Sequence, residues 1–205
     1  MPSPLPANAR VSTNPFLESK LNHLRDRSLG SSAVRATTAE IARILAVEAT
    51  QNHKPDHGKI GLIVVLRSGL GMSDAFLAQF APDTDVVVYH IGMFREKHSL
   101  QPVEYYNKLP NNNTKIKRVY VIDPLIATGG TATAVIEILR DWGVEHITFV
   151  SMLTSQQGVE HATKAWPEGT EFVIGAIDPR LDASGYIEPG IGDIGDRLFG
   201  TGLSH

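Results

Sequence analysis

Hydrophobic positions fall on two different periods along this chain. Five stretches are apolar or β-branched almost throughout: residues 60–66, 86–91, 118–122, 147–153 and 172–176. Such runs predict strands buried on both faces. Between them lie segments of helical period at 72–80, 131–142 and 157–165. The second is closed by Gly143, a residue free to take the left-handed turn after a helix. Strands alternating with helices predict a parallel sheet covered on both sides. Ahead of this series, Phe16, Leu17, Leu21 and Leu24 mark a first helix running to about Arg27. Thr37 and Glu40 form a capping box, so a second helix is expected to open at Thr37 with Ile41, Ile44, Leu45 and Val47 as its apolar stripe. Residues 51–59 read as a polar connection. Residues 1–15, rich in Pro, Ser and Asn, read as a flexible N-terminal arm. Beyond residue 176 the period is lost. Glycines at 185, 190, 192, 195, 200 and 202 interleave with Tyr186, Ile187, Ile191, Ile194, Leu198 and Phe199, a composition for an irregular cap over one end of the sheet.

Composition narrows the function classes. The 205 residues suit a single α/β domain, here 16–205, and a 42% hydrophobic fraction supplies its core. The formal net charge is −3 and no basic stripe occurs, which disfavours a nucleic-acid partner. There are no cysteines, so disulfides, thiolate metal sites and cysteine nucleophiles are excluded. No apolar run approaches the roughly 20 residues that span a bilayer. The opening Met1-Pro-Ser-Pro-Leu-Pro lacks the charged-then-apolar order of a secretory signal. A cytoplasmic protein with no membrane partner is expected.

Ligands of open parallel sheets bind beyond the carboxyl ends of strands. The strand ending at Ile122 delivers Asp123 there, and Thr128, Gly129, Gly130 and Thr131 then turn into a helix. Glycines let the backbone approach an anion, and the first N–H groups of the helix have no partner within it. Each such dipole or charge effect is worth roughly 0.3–2 kcal/mol, so several donors must act together. Asp123 cannot face a phosphate; its natural partners are two neutral hydroxyls. An acid for a sugar beside amides for a phosphate describes a ribose phosphate. The plain alternative is a strand–turn–helix with no ligand. The lysine of a nucleoside-triphosphate loop is missing. Gly190-Ile-Gly-Asp-Ile-Gly195 matches a dinucleotide fingerprint only in letters, because Pro189 precedes it and ten residues follow, too few for a βαβ unit.

Asp123-Pro-Leu-Ile-Ala-Thr-Gly-Gly-Thr131 resembles the phosphoribosyl-diphosphate signature of type I phosphoribosyltransferases, in the form carried by uracil phosphoribosyltransferases. Gly185-Tyr-Ile-Glu-Pro-Gly-Ile-Gly-Asp-Ile-Gly-Asp-Arg-Leu-Phe-Gly-Thr201 resembles the uracil-binding segment of the same family. Arg67-Ser-Gly-Leu-Gly71 is similar to its pyrophosphate loop, and the run from Gly92 through Arg95 to Tyr105 to its flexible catalytic loop. The resemblance extends from about Asn14 to Thr201. It implies a type I phosphoribosyltransferase-like parallel sheet core flanked by helices, with the C-terminal cap as a hood. It implies phosphoribosyl-diphosphate contacts from Arg67, Arg95, Asp123, Pro124, Leu125, Ile126, Ala127, Thr128, Gly129, Gly130, Thr131 and Asp193. It implies uracil contacts from Ile187, Gly192, Asp193 and Ile194. Asp123, Arg95 and Asp193 are the residues it implies for catalysis. Lys97 and His98 accompany Arg95.

The implied reaction joins uracil to 5-phosphoribosyl 1-diphosphate, giving UMP and diphosphate. Mg²⁺ is implied as cofactor, bound mainly through the diphosphate with no protein ligand set of its own. The resemblance also implies a homo-oligomer, a dimer or higher. Between Thr50 and Ile60 there are nine residues, where the family often has a longer hairpin arm that embraces a neighbouring subunit. Ser68 replaces the family's common Ala, Thr154-Ser-Gln-Gln-Gly158 its Ala-x-x-Glu-Gly, and Asp178-Pro-Arg-Leu181 its Asp-x-Gly-Leu. Two other readings stay open: a nucleotide-responsive regulator on this fold, and a phosphoribosyltransferase for another base.

Overall fold

The structure, a computed structural model, describes residues 4–51, 58–95, 102–111 and 115–202. In chain order its elements are β1 (Ala9–Val11), α1 (Pro15–Leu24), α2 (Ser31–Thr50), β2 (Lys59–Leu66), α3 (Leu70–Leu77), β3 (Val86–Arg95), β4 (Pro102–Asn107), β5 (Ile116–Ile122), β6 (Leu125–Ile126), α4 (Gly130–Trp142), β7 (His146–Ser155), α5 (Gln156–Ala162), β8 (Thr170–Asp178), β9 (Arg180–Leu181), β10 (Ile187–Glu188) and α6 (Ile194–Phe199). One sheet runs β1-β8-β7-β5-β2-β3-β4, with β6 paired to β7. Its pairings are parallel except β3 with β4. β9 and β10 form a separate antiparallel pair in the hood.

The apolar runs become strands covered on both faces. Along β2, Leu62 and Val64 pack with α1, α2, α3 and the hood, in a cluster that includes Leu24, Ile41, Leu45, Phe76 and Leu198. Ile63 and Val65 point the other way, to Val135, Ile136, Leu139 and Val159 of α4 and α5. This alternation is the period of two of a strand with a core on each side.

The chain visits β3 on one side of β2, then crosses to β5 on the other. A crevice opens where the strand order reverses, at the carboxyl ends of β2 and β5. Arg67 and Asp123 follow those two ends directly.

Four expectations change. The second helix opens at Ser31 rather than Thr37. Thr37 and Thr38 are buried in its middle, Gly30 holds the N-cap position without a side-chain bond, and Val47 is exposed. The capping-box letters therefore do not cap; the helix opens six residues earlier, with Val34 buried in the added stretch. Within the arm read as flexible, β1 adds to the sheet beside β8. It is held there by side chains: Asn8 Nδ2 donates to the carbonyls of Thr163 and Thr170, and Arg10 donates to the carbonyl of Glu48 at 2.7 Å. β3 runs on to Arg95 and pairs with β4, so the described part of the expected catalytic loop is an antiparallel extension. The third helix occupies Leu70–Leu77, ahead of the expected 72–80.

Candidate active site

A cleft of about 670 Å³ lies at the crevice between β2 and β5. Arg67 and Ser68 line it from the loop after β2, and Asp123, Leu125 and Ala127 from the loop after β5. The hood closes it with Tyr186, Gly192, Asp193 and Ile194. Two segments that are far apart in sequence thus face each other across one space.

Asp123 sits at the floor, buried to 7% exposure. Burial pushes its carboxyl up to about 7, against the N–H of Leu125 and the Ser68 hydroxyl, which pull it down. Ser68 Oγ lies 3.3 Å from Asp123 Oδ1. A desolvated carboxyl gains by accepting hydrogen bonds from neutral hydroxyls that enter the cleft.

The loop beyond Asp123 is built from main chain. The Pro124 carbonyl accepts from the N–H groups of Met152 and Leu153, which anchors the loop to β7. β6 then pairs Leu125 with Leu153 and Ile126 with Thr154. A small cavity of about 90 Å³ follows, lined by Leu125, Ile126, Ala127, Thr128, Gly129, Thr131 and Ala132. That is roughly three times the 30 Å³ share of one liquid water, room for a single small anion. Gly129 holds φ 87°, and a Cβ there would lie 2.7 Å from the carbonyl oxygen of Gly158. Only glycine makes this turn at this distance. α5 braces the loop from behind. Ser155 Oγ bonds the Ala127 carbonyl at 2.5 Å, and His161 Nδ1 lies 2.9 Å from the Thr128 carbonyl.

Side chains hold the hood instead. Arg25 forms a two-bond ion pair with Asp178 at 2.8 Å and also reaches the Gly190 carbonyl. Asp178 accepts the Gly190 N–H at 2.8 Å. Arg197 donates to the carbonyls of Leu24, Ile191 and Asp26, and Arg35 to that of Leu198. Gly192, at φ 78°, carries the turn into Asp193. The Asp193 side chain accepts from the Asp196 N–H at 3.0 Å and so caps α6.

The residues singled out by sequence divide three ways. Arg67, Asp123, Leu125, Ala127, Gly192, Asp193 and Ile194 line the main cleft. Ile126, Thr128, Gly129 and Thr131 line the small cavity that adjoins it, and Gly130 opens α4 beside them. Pro124 and Ile187 line neither space. Pro124 serves as an anchor, and Ile187 packs into the core while facing a neighbouring cavity that shares Tyr186, Gly192 and Asp193 with the cleft. Arg95 ends β3 opposite Pro102 in the register, while Lys97 and His98 fall outside the described residues. Sequence reading missed the bond from Ser68 to Asp123 and gave no role to Ser184 or Tyr186. A half-exposed tyrosine inside a glycine-rich segment was the available signal.

Among the described residues, no group of three or more His, Cys, Asp or Glu converges as a metal site. The cleft offers isolated oxygens, from Asp123, Asp193 and Ser68. That donor set fits a cation that keeps its waters and rides on phosphate oxygens. No helix among the described residues is long and apolar enough to cross a membrane.

The comparisons with known proteins agree with this geometry. Residues 50–201 match the family model described as uracil phosphoribosyltransferase. A Schizosaccharomyces pombe protein, provisionally named a uracil phosphoribosyltransferase, is 48% identical over 95% of this chain and 91% of its own. The uracil phosphoribosyltransferase of Clostridium perfringens is 36% identical over 92% of this chain and 96% of its own. A solved Aquifex aeolicus protein superposes with a TM-score of 0.85 at 25% identity, over 96% of this chain and 100% of its own. A hypoxanthine phosphoribosyltransferase from Staphylococcus aureus shares the fold at a TM-score of 0.50 and 13% identity, over 83% of this chain and 84% of its own. With a family model spanning the strands from β2 on, the loop and the hood, the chain belongs to the uracil phosphoribosyltransferase family.

Proposed function

We propose that the protein transfers the 5-phosphoribosyl group of 5-phosphoribosyl 1-diphosphate to N1 of uracil, releasing diphosphate and forming UMP. One observation carries the reading: Asp123 and the hood line one cleft, and a phosphate-sized cavity adjoins that cleft at Leu125 and Ala127. In this reading the 5-phosphate takes the N–H groups and hydroxyls of Thr128–Thr131. Asp123 accepts from the ribose O2 and O3 hydroxyls. Uracil lies against the Gly192–Ile194 turn, whose backbone N–H and C=O groups match its alternating carbonyls and N–H groups.

The chemistry follows from that arrangement. The C1–O bond to diphosphate breaks and the C1–N1 bond forms, so positive charge develops on the ribose ring and negative charge on the leaving group. Arg67, joined by Arg95 from the end of β3, stabilises the diphosphate. Holding N1 opposite the departing oxygen supplies proximity. Asp193, which lines the cleft, assists loss of the N1 proton in this reading. Mg²⁺ on the diphosphate adds charge neutralisation when bound. A homo-oligomer and a cytoplasmic location belong to the same proposal.

The test is a panel of bases with phosphoribosyl diphosphate and Mg²⁺. Uracil is expected to give UMP, with hypoxanthine, guanine and adenine turned over at least about 100-fold less efficiently, because a purine leaves backbone donors and acceptors of the hood unpaired. Comparable turnover of a purine, or no product from uracil, would overturn the reading.

A further inference from the structure

Two hood residues with no role so far, Asp196 and Thr201, meet Arg67 at the rim of the cleft. Arg67 Nη2 donates to Asp196 Oδ1 at 2.8 Å and Nη1 to Thr201 Oγ1 at 3.1 Å. The Thr201 hydroxyl donates to the same Oδ1 at 2.6 Å. The guanidinium carbon lies 5.9 Å from the centroid of the Phe199 ring, completing a three-sided seat. Asp196 is also the residue whose N–H is capped by Asp193. One residue of α6 therefore touches both the base-facing turn and the arginine that follows β2.

Stability is a poor account of this seat. The side chains of Arg67 and Asp196 are 50% and 36% exposed, and ion pairs that wet contribute little to folding. What the seat does accomplish is to fix a long, rotamer-rich side chain in one place. The guanidinium has five N–H donors, and the two contacts leave others for a ligand in the cleft. A donor already immobilised loses less freedom when an anion arrives.

We propose that Asp196, aided by Thr201, is a positioning residue for Arg67, holding its guanidinium for the diphosphate and tying that grip to the hood. The proposal rests on the phosphoribosyl-transfer reading. Asp196 acts through Arg67, so removing Arg67 should remove its effect.

The experiment is a double-mutant cycle read in steady-state kinetics and melting temperature. Asp196→Asn is expected to raise the KM for phosphoribosyl diphosphate about tenfold and to leave the KM for uracil within roughly twofold. Its melting temperature should stay near that of the parent. Thr201→Val should raise the same KM roughly twofold. In an Arg67→Gln background, Asp196→Asn should add nothing. An unchanged KM for phosphoribosyl diphosphate, or an equal rise with and without Arg67, overturns the proposal. If Asp196→Asn does not fold, the exposed Thr201→Val carries the same cycle. Calorimetry with inorganic diphosphate and Mg²⁺ separates this proposal from the function it rests on. Were no UMP formed by the parent, a roughly tenfold weaker diphosphate affinity in Asp196→Asn would still support the seat, and equal affinity would sink it.

Discussion

The two walls of the cleft are built by opposite means. The loop wall, from Asp123 to Thr131, is main chain held mostly by main chain: the Pro124 carbonyl on β7, β6 paired to β7, and a glycine turn with no room for a Cβ beside the Gly158 carbonyl, with the Ser155 hydroxyl and the His161 ring bracing it from behind. The hood wall is irregular chain held by arginines: Arg25 and Arg35 reach its carbonyls and Asp178, and its own Arg197 reaches the carbonyls of Leu24, Asp26 and Ile191. Backbone cannot move far without breaking the sheet, whereas a side-chain tether can shift rotamer. On the proposed function, one wall is fixed for the ribose phosphate and the other can adjust to the base.

Substitutions can break this contrast, and the largest effect is expected at Asp123. Asp123→Asn removes a charged acceptor for two hydroxyls, and kcat/KM should fall about 100-fold. In the parent, kcat/KM should rise with pH through about 7 as the carboxyl ionises. The stability sign is the reverse. The folded value of about 7 lies above the ordinary 3.8, so the group's contribution to stability is fully present below about 4 and is lost as pH rises through 7. Asparagine escapes that loss. Thermal melts should show Asp123→Asn more stable than the parent at pH 8 and equal to it near pH 4; the opposite order would contradict the buried, desolvated carboxyl.

Equal substitutions in the two walls come next. Gly129→Ala meets a positive φ and a backbone carbonyl at 2.7 Å that cannot retreat. Gly192→Ala meets a positive φ and the end of the Arg27 side chain, which can swing away. Backbone strain of roughly 1–2 kcal/mol is common to both. The KM for phosphoribosyl diphosphate should therefore rise well over tenfold in Gly129→Ala. In Gly192→Ala the KM for uracil should rise about tenfold while that for phosphoribosyl diphosphate holds. Similar profiles for the two variants would erase the proposed contrast.

A smaller change is expected at the tether. Arg25→Met leaves Asp178 buried without its ion-pair partner, although the Gly190 N–H remains. Breaking a fully buried pair costs about 3–5 kcal/mol; because Arg25 is partly exposed, about 2 kcal/mol is expected in denaturant unfolding. The KM for uracil should rise, with that for phosphoribosyl diphosphate unmoved.

What the sequence disclosed follows the same division. β2, β5, β7, β8 and α4 were legible because each buries an apolar run whose period is local. The loop from Asp123 to Thr131 was legible because the phosphate site proposed for it, made of backbone, requires glycines and hydroxyls at fixed spacing. β1 was not, since Ala-Arg-Val inside a Pro-rich arm carries no period and is held by Asn8 and Arg10. β4 was hidden because it is exposed almost throughout, so Pro-Val-Glu-Tyr-Tyr-Asn carries no alternation of buried and solvent-facing positions. Thr37 misled because a buried mid-helix threonine and an N-cap threonine look alike in letters. The seat of Arg67 was invisible for a further reason: its partners lie 129 and 134 residues away, and a pair across such a distance leaves no trace in spacing.

A crystal structure with bound UMP is decisive, because one nucleotide must span both walls. The phosphate is expected in the cavity between Leu125 and Ala132, the ribose hydroxyls on Asp123, and uracil against Gly192–Ile194. A nucleotide whose base lies away from the hood, or whose phosphate lies away from Thr128–Thr131, would contradict the proposed function.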